Sequence, residues 1–108
     1  MNTLNNNNQK GEAMKKKLII HNITEDGFIH IFGYENKKDL YSSENTVINP
    51  GIDTTRAIKC TGIVENDLSG LWSFENKEDQ ILFLKELKHY FDLESDGSHN
   101  LEPYFKLI

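Results

Sequence analysis

The chain has 108 residues, 37% of them hydrophobic, and a formal net charge of −5, which sets the scale of one small domain with an acidic surface. No apolar run approaches the roughly 20 residues that span a bilayer, so no membrane helix is expected. A single cysteine, Cys60, excludes an internal disulfide and suits a reducing compartment.

Residues 1–13 carry the polar tract Asn5–Asn8 and only Leu4 for burial, so this segment is expected to be a disordered tail. Lys10-Gly11-Glu12 can be encoded by a purine run resembling a ribosome-binding site, which makes Met14 a candidate start. Lys15–Lys17 precede only Leu18-Ile19-Ile20 before His21 and Asn22, too short for a secretory signal. A cytoplasmic location is therefore expected, and the sequon Asn22-Ile23-Thr24 is expected to stay unused. Arg56 is the only arginine, and Asn and Ile are abundant. That usage points to an AT-rich coding sequence, of bacterial or phage origin.

Lys17–Ile23 and Phe28–Tyr34 are β-prone runs joined by Thr24-Glu25-Asp26-Gly27, an Asp-Gly hairpin signal. Both faces of the second run are apolar, so the hairpin is expected at the centre of the sheet. Asn36–Ser43 is polar, Thr46-Val47-Ile48 reads as a short strand, and Asn49-Pro50-Gly51 as a turn. Residues 54–65 alternate, with Ile58, Cys60, Gly62 and Val64 on one side, predicting a strand with Cys60 in the core. Leu71–Phe74 predicts another strand.

Asn76 with Glu78 and Asp79 forms a helix N-terminus, and Phe83, Leu84, Leu87, Tyr90 and Phe91 share one arc. A helix over 77–94 follows, with Gly97 near its exit. Leu101–Ile108 is expected as an edge strand, where Pro103 is tolerated. The predicted fold is thus α+β: an antiparallel sheet of four to five strands against one amphipathic helix. The joint Gly70-Leu71-Trp72-Ser73-Phe74 and its N-capped helix resembles the last-strand-to-helix joint of pleckstrin-homology-like domains of the EVH1 type.

Among candidate sites, Asp92, Glu94, Asp96 and Gly97 resemble the start of an EF-hand calcium loop. Pro103 occupies the place of the closing bidentate glutamate, and an acidic helix exit explains the residues equally well. His21 and His30 share a face if the hairpin loop has two or four residues, which would suit a zinc pair or a pH-sensitive pair. A third ligand from His89, His99 or Cys60 would have to come from elsewhere in the fold. No glycine-rich phosphate cradle and no nucleophile elbow is present, and no cofactor is expected.

The charge is lopsided: Met14–Val64 carries seven basic and six acidic side chains, while Glu65–Ile108 carries four basic and ten acidic. An acidic half disfavours direct nucleic-acid binding and suits a partner with a basic surface, although it also serves solubility. On the helix, Leu82 and Leu93 project away from the core arc beside Glu78, Glu86 and His89. Either they form a partner-binding stripe extended by Asp92, Glu94 and Asp96, or the C-terminal tail folds back over them. The sequence thus points to a non-enzymatic protein that binds and inhibits or neutralises another protein, of the immunity-protein, antitoxin or anti-CRISPR type. The alternative is a small domain binding a metal or ligand.

Overall fold

The structure, a computed structural model, describes residues 15–34, 47–62 and 64–108. The expected tail over 1–13 and the polar segment 36–43 lie outside the described residues. Lys17–Ile23 (β1) and Phe28–Tyr34 (β2) form the expected hairpin. Its turn is closed by Thr24 N–H donating to the Phe28 carbonyl at 3.0 Å and Phe28 N–H donating to Thr24 Oγ1 at 3.1 Å. Gly27 has φ +100°, and a Cβ there would stand 2.9 Å from the Phe74 carbonyl oxygen, so the turn needs glycine on both counts.

Ala57–Lys59 (β3) and Gly70–Phe74 (β4) add on the β2 side, and Asp92–Ser95 (β5) adds beside β1. The sheet order is β3-β4-β2-β1-β5, with every pair antiparallel except β1 and β5. The long strand expected over 54–65 is therefore only three residues of ladder. Cys60 and Thr61 N–H both point to the Leu71 carbonyl, and Gly62 takes φ +106°, which turns the chain off the edge. The alternating apolar side faces outward: Ile58 is 68% exposed, Val64 45%, and Cys60 is exposed rather than in the core. Of the expected strand at 46–48, Ile48 makes one isolated bridge, to Asp67.

The helix α1 spans Lys77–Tyr90, capped by Asn76 Oδ1 accepting from Asp79 N–H at 2.9 Å. It ends four residues earlier than the apolar spacing predicts. Phe91 is extended, and its N–H closes the last turn on Leu87. From Asp92 the period becomes two, with Leu93 turned to the core. Leu101–Ile108 is not an edge strand. Pro103 sits in the first turn of a short helix, Glu102–Phe105 (α2), where a missing N–H costs nothing. The EVH1-like resemblance also ends at the joint itself, because α1 is followed by a further strand, β5.

One face of the sheet carries Leu18, Ile20, Ile29, Ile31, Trp72 and Phe74, and α1 lays Phe83, Leu84 and Leu87 across it. Trp72 and Phe74 both pack on Phe83, with ring centroids 5.4 and 5.1 Å away. Gln80 is fully buried among these apolar groups. Its Nε2 donates to the Thr24 and Phe28 carbonyls at 2.9 and 3.0 Å, so the helix is pinned to the hairpin turn. Tyr104, Phe105 and Ile108 pack against the end of the same core.

Candidate functional site

Two surfaces collect the predicted site residues. The first is the outer face of α1. Glu78, Leu82, Glu86 and His89 are all exposed there, Leu82 by 45%. Leu82 and Lys85 form a ridge between two shallow grooves. One, of about 560 Å³, is lined by Lys77, Glu78 and Ile81; the other, of about 400 Å³, by Arg56, Asp79 and Glu86. The Arg56 guanidinium reaches the Asp79 carboxylate at 3.5 Å across the second groove. The C-terminal segment leaves Leu82 uncovered.

The stripe is shorter than expected. Leu93 lies on β5 and packs against the core, so it cannot join Leu82. Asp92 and Glu94 stand on the opposite face of the sheet from α1, in register with Lys17 and Ile19. Glu94 pairs with Lys17 at 3.2 Å. Because Asp92 and Glu94 belong to a strand, the Asp92–Gly97 segment is not an EF-hand loop.

The second surface is that outer sheet face, and its geometry begins with the β1–β2 register. Ile23 pairs with Ile29 and Asn22 with His30, but Ile20 pairs with Ile31, so His21 is an extra residue on β1. Next, Ile20 pairs with Ile31 and Ile19 with Gly33, so Phe32 is an extra residue on β2. These two adjacent bulges offset one another. Without them the hairpin register would place His21 and His30 on opposite faces. The bulge brings them together, with ring centroids 5.1 Å apart.

Phe32 stacks on His21 at 4.3 Å, and His99, from the loop after β5, meets His21 edge-on at 5.2 Å. Asp96, only 8% exposed, sets its Oδ2 2.6 Å from His21 Nδ1 and accepts the Ser98 N–H at 2.8 Å on Oδ1. Burial alone would raise the Asp96 pKa. The hydrogen bonds from His21 and Ser98 outweigh it and hold the carboxyl below its ordinary value. His30 is lowered, first by burial and next by the neighbouring His21, against the opposing pull of Asp96.

Comparison with protein-family models, curated proteins and solved structures returns no match. Chemistry alone therefore ranks the two surfaces. Among the described residues, no group of three or more His, Cys, Asp and Glu side chains is arranged to hold a metal ion. His21 meets His30 and His99 edge-on, ring against ring. Sequence reasoning paired His21 with His30 but missed that Asp96 belongs to them. The missing signal was β5, whose parallel pairing with β1 carries Asp96 to His21.

Proposed function

We propose that the protein is a small acidic, non-enzymatic binding protein that docks on another protein with a basic surface and inhibits or neutralises it. Immunity proteins, antitoxins and phage anti-defence proteins such as anti-CRISPRs are the class it fits by size, charge and motif-poor sequence. The observation that carries the reading is Leu82. A leucine 45% exposed in mid-helix, ridged between two grooves and flanked by Glu78 and Glu86, is an apolar anchor with a charged rim. The acidic excess of Glu65–Ile108 supports steering toward a cationic partner. No helix among the described residues is long and apolar enough to cross a membrane, and the lone cysteine supports a cytoplasmic setting.

The test is affinity capture from the source organism's lysate with wild type and Leu82→Asp side by side, both shown to be folded by circular dichroism. A stoichiometric protein that wild type retains, that rising salt weakens and that Leu82→Asp loses supports the reading. Equal retention by both proteins, or no partner for either, overturns it.

A further inference from the structure

The groove of about 400 Å³ beside Leu82 lies between two walls, each fixed by its own bonds. One wall is α1, through Asp79, Leu82 and Glu86. The other is the segment 51–56, which leads into β3. Asn49 Oδ1 accepts the Gly51 and Ile52 N–H groups at 2.9 and 2.6 Å, and Asn49 Nδ2 donates to the Ile52 carbonyl at 2.9 Å. Ile52 is buried, and Ala57 N–H closes on the Thr54 carbonyl at 3.1 Å. Phe74 and Phe83 line the groove from the core side.

Three carboxylates, Asp53, Asp79 and Glu86, and two cations, Arg56 and Lys85, line this groove. One negative charge is therefore left over. The Arg56 guanidinium is engaged with Asp79 at 3.5 Å. Asp53 Oδ1 accepts the Thr55 N–H at 3.0 Å and the Thr55 hydroxyl at 2.7 Å. These two bonds, helped by the Arg56 charge, hold the Asp53 carboxyl below its ordinary value. Among the described residues, no hydrogen bond or ion pair engages Asp53 Oδ2 or the Glu86 carboxylate.

We propose that this groove receives one arginine side chain of the basic partner, its guanidinium on Glu86 and Asp53 Oδ2 and its stem against Leu82. The arginine is then the charged contact beside the Leu82 anchor, an assignment that rests on that reading of Leu82. Arg56 already places one guanidinium here, on Asp79 and within reach of the Asp53 charge. A planar guanidinium fork serves two carboxylates at once, whereas an ammonium is a compact, more strongly hydrated charge. The weaker hydration of the guanidinium also suits a groove walled by Leu82, Phe74 and Phe83.

The experiment titrates the protein with Nα-acetyl-arginine amide at constant ionic strength and follows the backbone amides by NMR. The Asp53, Arg56, Leu82 and Glu86 amides should shift together and saturate, with half-saturation at roughly 1 mM. Glu86→Gln, and Asp53→Asn, which keeps Oδ1 for Thr55, should each weaken binding about fivefold or more. The uncharged acetyl-citrulline amide should give no saturable shift, and acetyl-lysine amide should bind several times more weakly. The inference is overturned by shifts that do not saturate, by citrulline or lysine amide binding as tightly, or by both folded variants binding as wild type does. The probe needs no captured partner. A failed titration therefore counts against the arginine site, and an empty lysate capture counts against the Leu82 reading.

Discussion

His21 and Phe32 are the two residues that the β1–β2 ladder skips, one on each strand, and their rings lie stacked at 4.3 Å with an interplanar angle of 18°. The contact joins two neighbouring bulges on the outer face of the sheet and sets the orientation of the imidazole that Asp96 holds. Replacing Phe32 with Leu keeps an apolar side chain but removes the stack. The expected cost is about 1 kcal/mol, read as a lower urea midpoint with an unchanged slope. The His21 resonances should broaden or shift as the ring loses its platform.

The helix-to-hairpin pin is expected to matter more. Gln80 is fully buried and gives both of its donated hydrogen bonds to the β1–β2 turn. Gln80→Ala removes those bonds and leaves a cavity, at a combined cost of about 2–4 kcal/mol. Urea unfolding monitored by Trp72 fluorescence measures it.

Cys60 gives a direct check on the outward-facing edge. Its thiol is exposed, with the Ile58 carbonyl 3.6 Å away. In the native protein it is expected to react with a thiol reagent at close to the rate of the urea-unfolded chain. A native rate slower by a factor of about a hundred would mean that the thiol is reached only through opening of the fold.

Stability is expected to fall with mild acid, and the sign follows from His30. Its pKa is lowered on folding from the ordinary 6.5, so between that lowered value and 6.5 the unfolded chain binds more protons than the folded one. Stability contributed by neutral His30 is complete above pH 6.5 and is lost as pH falls toward the lowered value. Asp96 is also lowered, from 3.8. Its contribution is complete above pH 3.8 and is lost only as pH falls through its own lowered value. Urea midpoints measured from pH 7.5 to 3 should show the first decline in wild type and not in His30→Phe, with the second present in both.

Much of the fold was legible in the sequence because its strongest signals are local. The Asp-Gly turn, the β-prone runs Lys17–Ile23 and Phe28–Tyr34, and the Asn76 cap each depend on a few neighbouring residues, and each is where it was expected. The errors share a different cause. Asp92–Ser95 is too polar to announce a strand, and it becomes one only by pairing with β1, more than seventy residues upstream. Leu93 consequently moved from the supposed helix stripe to the core, and Asp96 from a supposed surface cluster to a buried partner of His21. Ile58 and Cys60 misled for the opposite reason. Their alternation is real, but an edge strand that turns away after Lys59 has no second layer to bury it against.

The central claim, that this is a binding protein anchored by Leu82, is met most directly by measuring the captured partner's affinity for wild type and Leu82→Asp by calorimetry at low and moderate salt. The account predicts a loss of about a hundredfold or more for Leu82→Asp, as for an anchor residue, and weaker wild-type binding as salt rises. Equal affinities for the two proteins, with both folded, would contradict it.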